Sequence, residues 1–267
     1  LVSAMIGRKL DVFYPKIEAE IGTELMRIEE LEYSNQVNGV NLSINRGEIV
    51  AIVGAVGAGK TEILNCIYGI LHPHSGRIII NDVQANPYHT PMEMIKMGIA
   101  LIPEDRSLQG MIGEYTVSEN ISSVDMSKVS LHGVMLRSKE DSLAQHIVEV
   151  LDVRPKDHHH LMTALSGGNQ QKIVLGKWLT SDYCIYLMDE VTAGVDIQAK
   201  ATIYKIMGEI VRKGGAVLLC TGDIEEALGV ADRIIVLFKG KVIFETNRTS
   251  TSKDELLTYI MGGSANA

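Results

Sequence analysis

Four short runs of consecutive apolar residues mark the chain: Ile49–Val53, Cys184–Met188, Ala216–Cys220 and Ile234–Phe238. They are apolar without alternation, the pattern of strands buried on both faces. Between them, Thr61–Ile70, Ala199–Val211 and Ile224–Val230 carry apolar residues at helical spacing. Strand and helix in alternation predict a mostly parallel sheet with helices on both sides.

Two regions break that rhythm. Leu25–Leu31, Gly39–Ile44 and, later, Gly76–Ile80 read as short strands with Asn/Gly turns, which predicts an N-terminal antiparallel β subdomain packed on the core. From about Glu104 to Ala164 the segments are helix-like, Ser142–Leu151 among them, and strand signals are few. This predicts an inserted helical subdomain. Leu1–Gly22 carries Pro15, precedes the first strand signal and reads as a linker. The expected organisation is a linker over 1–22, a principal domain over 23–246 and a C-terminal tail over 247–267.

Composition narrows the function classes. The chain has 267 residues, 46% of them hydrophobic, and a formal net charge of −8. An acidic balance counts against nucleic acid as the main partner, because phosphate binding normally shows as a basic excess. No apolar run is long enough to span a bilayer. Cys66, Cys184 and Cys220 are odd in number and lack CxxC spacing, which fits free thiols. His158, His159 and His160 read as part of a solvated polar loop.

Gly54-Ala55-Val56-Gly57-Ala58-Gly59-Lys60-Thr61 fits G-x-x-x-x-G-K-[ST] in full, with a strand before it and a helix after it. Glycines let the backbone turn its N–H groups onto phosphate. Lys60 brings a positive charge to the terminal phosphates, and the Thr61 hydroxyl suits Mg²⁺. Glu62 follows directly and is included among the residues around the nucleotide. The apolar strand Cys184–Met188 ends in Asp189-Glu190, and strand ends are where ligand groups collect in such sheets. Asp189 is expected to hold Mg²⁺ through water, and Glu190 to polarise the attacking water.

Leu165-Ser166-Gly167-Gly168-Asn169-Gln170-Gln171-Lys172 resembles the LSGGQ-like signature of ABC transporter ATP-binding subunits. A plain N-capped helix with Ser166 as the cap is the simpler reading, but it leaves the double glycine without a reason. The resemblance implies a P-loop NTPase of α/β class. In that family two ATPase domains face head to tail, and Ser166, Gly167, Gly168 and Gln170 would address ATP held by a sister domain. Ala193-Gly194-Val195-Asp196 matches the family's D-loop. Tyr33 lies upstream, where the family often places an aromatic ring on adenine; a simple strand tyrosine is the alternative.

Met5–Leu10 followed by Tyr14-Pro15 resembles the linker between the two ATPase halves of ribose/galactose-type importers. Pro103-Glu104-Asp105-Arg106 stands in the Q-loop place, with Glu104 where most members have glutamine; Glu104 could also reach Mg²⁺ through water. The resemblance thus implies the C-terminal ATPase half of a tandem protein, using ATP and Mg²⁺. Its expected partners are a sister ATPase domain and membrane subunits, with the region around 104–164 contacting the latter. Its expected place is the cytoplasmic face of the cell membrane. One departure stands out. Cys220-Thr221-Gly222-Asp223 puts Gly222 where the family usually has a histidine that contacts the γ-phosphate. ATP binding is therefore expected to survive, with hydrolysis at this site slow. A nucleotide-binding partner domain with little hydrolysis, or a soluble non-transport ATPase, stays open as an alternative.

Overall fold

The computed structural model describes residues 14–263. Its strands are β1 (Glu24–Tyr33), β2 (Val37–Asn45), β3 (Ile49–Val53), β4 (Ser75–Ile80), β5 (Val83–Gln84), β6 (Ile99–Ile102), β7 (Ser130–Leu131), β8 (Val134–Met135), β9 (Ile185–Asp189), β10 (Ala216–Thr221), β11 (Arg233–Phe238) and β12 (Lys241–Asn247). Its α-helices are α1 (Lys60–Tyr68), α2 (Pro91–Lys96), α3 (Val117–Ser122), α4 (Arg137–Val150), α5 (Gly167–Gly176), α6 (Ile197–Arg212), α7 (Ile224–Val230) and α8 (Lys253–Ile260).

These elements fall into two compact units. The first holds residues 14–101, Cys184–Glu190 and 204–263; the second holds Ile102–Tyr183 and Val191–Ile203.

The first unit contains two sheets. The larger has strand order β12-β11-β3-β10-β9-β6. β11, β3, β10 and β9 run parallel, and β12 returns antiparallel to β11 at the edge. Every residue of β3, β9 and β10 is buried, as their unbroken apolar runs predict. The parallel register sets Thr221 beside Val53, and Cys220 beside Asp189. The residues that follow these strands, Gly54, Glu190 and Gly222, are thereby brought to one end of the sheet.

The smaller sheet has order β2-β1-β4-β5, antiparallel throughout. Arg233 at the start of β11 binds it to the larger sheet. The Arg233 guanidinium donates to both oxygens of Glu48 (2.8 and 3.0 Å) and to the Ser43 carbonyl on β2 (2.7 Å). It also reaches Glu245 on β12 at 2.5 Å. Glu48 is 3% exposed and also accepts from the Asn45 backbone N–H and side-chain amide.

The end of the segment read as a linker is docked on this unit. Lys16 pairs with Asp232 at 2.6 Å. Tyr14 fills the space at Gly229 and Ile17 the space at Gly208. A Cβ on either glycine would come within 2.4 or 2.6 Å of them. Met5–Leu10 lies outside the described residues. In the segment read as a tail, α8 buries Leu256 and packs beside β11 and α7.

The second unit is mainly helical. α3 packs against α4 and α5, burying Val117, Ile121, Ala144, Ile147 and Ile173. Gly176 lets α5 approach α4, since a Cβ there would lie 2.6 Å from Leu151 and 2.7 Å from Ile147. β7 and β8 form a short hairpin. None of the described helices is long and apolar enough to cross a membrane.

Candidate nucleotide site

The loop after β3 turns through two left-handed glycines, Gly57 (φ 76°) and Gly59 (φ 106°), before α1 begins at Lys60. Gly59 cannot be otherwise: a Cβ would sit 2.2 Å from the Gln36 carbonyl oxygen. The loop's outer side is bare, with Val56 fully exposed and no atom within 4 Å of a Cβ placed on Gly57. Ala58 closes the turn by donating to the Ala55 carbonyl, and its own carbonyl accepts from Gly240.

Lys60 is buried under this loop. Its ammonium donates to the Gly54 carbonyl at 3.1 Å and, more weakly, to that of Ala55 at 3.5 Å. Glu190 Oε1 lies 3.7 Å from the same nitrogen. Glu190 follows β9 with φ 44°, a left-handed backbone uncommon for a non-glycine residue. Holding it costs about 1–3 kcal/mol. The Glu190 N–H donates to the Cys220 carbonyl at 2.9 Å.

Gly222 faces this carboxylate: a Cβ on it would lie 3.5 Å from Glu190 Oε1. The segment is set by a buried network that sequence reasoning missed. Glu226, 1% exposed, accepts from the Tyr204 hydroxyl at 2.8 Å and from the Thr221 hydroxyl. Thr221 Oγ1 accepts in turn from Asp223 N–H, and Asp223 caps α7. Tyr204 and Glu226 lie 22 positions apart on different helices, so no local motif announces them.

Asp189 is 3% exposed at the end of β9, and Thr61 lies half-buried in the first turn of α1. A hydroxyl and a carboxylate are oxygen ligands of the kind Mg²⁺ takes. The open glycine loop at a helix N-terminus and the buried lysine fit a polyphosphate. Glu62 is engaged by Gln36, whose amide donates to it at 2.8 Å. The Tyr33 ring stacks on His74, centroids 5.8 Å apart and planes 20° off parallel. His74 is a neighbour that the sequence did not suggest. Burial holds the Cys66 thiol up at about 12 and the Cys220 thiol well above its ordinary value, so both stay protonated.

The signature residues belong to the second unit. α5 begins at Gly167, and Ser166 stands at its N-cap position without bonding the helix amides through its side chain. The capping role expected of Ser166 is therefore not what its hydroxyl does. It accepts from the Asn169 amide at 2.9 Å. Both glycines of the pair lie against the tips of polar side chains of the same unit. A Cβ on Gly167 would meet Arg106 Nη2 at 2.6 Å, and one on Gly168 would meet Asp196 Oδ2 at 2.8 Å. Gln170 is occupied on both ends, accepting from Arg106 Nε at 3.2 Å and donating to the Met162 carbonyl at 3.1 Å. Glu104 is exposed, and Asp105 beside it caps the turn Arg106–Gly110. His158 departs from the solvated loop expected of it, being only 13% exposed.

With this geometry in hand, comparison with known proteins is decisive for the family. The ABC transporter family model matches residues 37–193.

The chain belongs to the ABC transporter family.

Across 98% of its length it is 36% identical to the ribose import ATP-binding protein RbsA of Shouchella clausii, covering 52% of that protein. It is 35% identical to the Corynebacterium glutamicum ribose import ATP-binding protein RbsA over 96% of its length, covering 49% of that protein. This family member thus spans about half the length of the curated relatives it matches. Among solved structures it resembles the dimeric, post-hydrolysis ATP-binding cassette MJ0796 bound to ADP and Pi, with a TM-score of 0.73 at 24% identity over 84% of this chain and 99% of that one. The cassette MJ1267 in its ADP conformation gives 0.71 at 23% identity, over 90% and 96%. At such identities the likeness establishes the fold: a mixed α/β ATP-binding cassette with a parallel-rich sheet and an antiparallel one.

Proposed function

We propose that this chain is an ATPase domain that powers import of a sugar or related small solute. It would be the C-terminal half of a tandem protein that pairs with a sister domain and docks on membrane subunits from the cytoplasmic side. The observation that carries the ATPase reading is Lys60, buried beneath an open glycine loop and facing Glu190. The branch assignment is supported by likeness to ribose import proteins along nearly the whole chain.

ATP is the nucleotide, and Mg²⁺ supplies charge neutralisation at its phosphates when bound. Thr61 and Asp189 are the residues that would hold the ion, with Glu104 as a further candidate through water. The chain's own work is positioning. The loop amides other than that of Ala58 orient the phosphates and Lys60 offsets their charge. Glu190, fixed by its strained backbone and the Cys220 carbonyl, holds a water in line and takes up its proton. Ser166–Gly168 serve the sister domain's nucleotide.

A second reading draws on Gly222. The position facing Glu190 bears no side chain, so nothing there reaches the γ-phosphate, and the site binds ATP more readily than it cleaves it. Both readings share one test. A fluorescent ATP analogue is titrated into the chain with Mg²⁺, and single-turnover hydrolysis is followed in the tandem protein with and without Glu190→Gln. Binding that vanishes with Lys60→Ala supports both. Near-complete loss of turnover in Glu190→Gln supports a hydrolysing site. Unchanged turnover supports a mainly binding one. No analogue binding by the wild-type chain refutes both.

A further inference from the structure

The histidine run His158–His160 takes no part in the nucleotide chemistry, yet it is not a loose loop. Two of its imidazoles converge on one carboxylate oxygen. Asp141, in the second turn of α4, places Oδ1 3.3 Å from His158 Nε2 and 3.9 Å from His159 Nε2. One ligand atom from each of the three residues lies within 4.8 Å of the others. The two rings sit 4.3 Å apart between centroids, tilted by 46°.

The cluster is built on fixed backbone. The carbonyls of His158 and His160 accept from Ser118 N–H (3.0 Å) and Val117 N–H (2.9 Å) at the start of α3. The His159 N–H donates to Asp157 Oδ1 at 2.9 Å. His158 is held inward while His159 is 64% exposed, so the site is rigid on one side and open to solvent on the other.

His158 Nε2 and Asp141 Oδ1 are hydrogen-bonded at 3.3 Å, a spacing that also accommodates a metal ion. Two ligand atoms each about 2.05 Å from a tetrahedral ion lie about 3.3 Å apart. The His158–Asp141 pair already has this separation, and the exposed His159 side chain is free to close the remainder. A cation bound among the two imidazole nitrogens and the carboxylate oxygen would take the place of the His158–Asp141 hydrogen bond. Imidazole with one carboxylate suits zinc-class ions and is a poor match for Mg²⁺ or Ca²⁺. The site is thus distinct in chemistry from any nucleotide-bound Mg²⁺.

We propose that Asp141, His158 and His159 bind a zinc-class divalent cation, with solvent completing four-coordination. The ion ties α4 to the segment that continues through Met162–Ala164 to Ser166. Its occupancy therefore braces the chain leading into the signature helix.

The test uses the chain stripped with a chelator and titrated with Zn²⁺ in a calorimeter, alongside Asp141→Asn and the double variant His158→Gln/His159→Gln. The expected result is one Zn²⁺ equivalent in the wild type that the double variant lacks, weakened at least about tenfold in Asp141→Asn. Millimolar Mg²⁺ leaves this equivalent in place. X-ray absorption of the zinc-loaded wild type should show two imidazoles at about 2.0–2.1 Å. With free Zn²⁺ at 100 times Kd, the folded-to-unfolded ratio should rise about 100-fold in the wild type alone. Equal Zn²⁺ binding by wild type and double variant overturns the proposal, by placing the ion at the thiols or the phosphate loop. So does absorption without imidazole ligands. If the double variant does not fold, the exposed single change His159→Gln and the wild-type absorption spectrum decide the matter.

Discussion

Replacing Arg233 by methionine is the sharpest probe of how the first unit is held together. The change keeps the aliphatic stem and removes the guanidinium from Glu48, Glu245 and Ser43. Glu48 is the critical partner, because at 3% exposure its carboxylate cannot turn to water. It would keep only the Asn45 backbone N–H at 2.8 Å and the Asn45 amide at 3.0 Å. Breaking a buried pair by removing one partner costs about 3–5 kcal/mol. At about 2–4 °C per kcal/mol for a chain approaching this size, the midpoint should fall by about 6–20 °C. Glu48→Met should cost less, since Arg233 keeps Glu245 and the Ser43 carbonyl. The double change Glu48→Met/Arg233→Met should recover most of the loss, short of about 1 kcal/mol for the Asn45 N–H left behind. Urea unfolding followed by far-UV circular dichroism measures all three. Trp178, the single tryptophan, lies in the second unit, and its fluorescence shows whether that unit unfolds separately. An Arg233→Met cost below about 1 kcal/mol, or a double variant as unstable as the summed singles, would refute the reasoning.

Other outcomes follow from single positions. Gly222→His places a side chain beside Glu190, where its Cβ would meet Glu190 Oε1 at an ordinary contact distance of 3.5 Å. Turnover of the tandem protein should rise at least about tenfold, toward the range of general acid–base contributions, and unchanged turnover would refute the role given to this position. Gly59→Ala should abolish binding of a fluorescent ATP analogue. The new Cβ would lie 2.2 Å from the Gln36 carbonyl at a φ of 106°, a conformation that costs about 1–3 kcal/mol before the clash is counted. Retained binding would show that the loop relaxes without losing its amide cradle. Burial brings the Lys177 ammonium down to about 8, with its nitrogen donating to the Gly110 carbonyl. The unfolded chain holds that proton up to about 10.4. Between these values the unfolded state binds more protons, so stability rises with pH. Relative to Lys177→Met, the wild type should therefore gain stability from about pH 8 to pH 10.5. A pH-independent difference in urea midpoints would count against a depressed lysine.

The buried strands were legible because double-sided burial leaves unbroken apolar runs. Ile49–Val53 is predicted to the residue, and α7 likewise. β6 escaped because four apolar residues between Gly98 and Pro103 are too few to stand out. β12 escaped because it is an edge strand, half exposed along KVIFETN and paired only with β11. The candidate site divides in the same way. The phosphate loop, Asp189-Glu190 and the signature are contiguous segments, so spacing alone exposes them. The Glu226–Tyr204–Thr221 network, the His74 face of Tyr33 and the Asp141–His158–His159 cluster join distant positions. No periodicity along the chain encodes such meetings.

The docked residues Tyr14–Ile17 alter the mechanics of any tether that leads into this domain. A linker counted to Gly22 would end at the first strand, but the glycine notches at Gly208 and Gly229 and the Lys16–Asp232 pair fasten the chain from Tyr14 on, eight residues earlier. At about 3.3–3.6 Å per residue, this takes roughly 26–29 Å from the reach of the free segment. A domain joined upstream is therefore leashed beside α6 and α7, the latter opening one residue after Gly222 and Asp223. A pull on the leash bears first on α6 at Gly208 and on α7 at Gly229, the two helices joined by the Tyr204–Glu226 hydrogen bond.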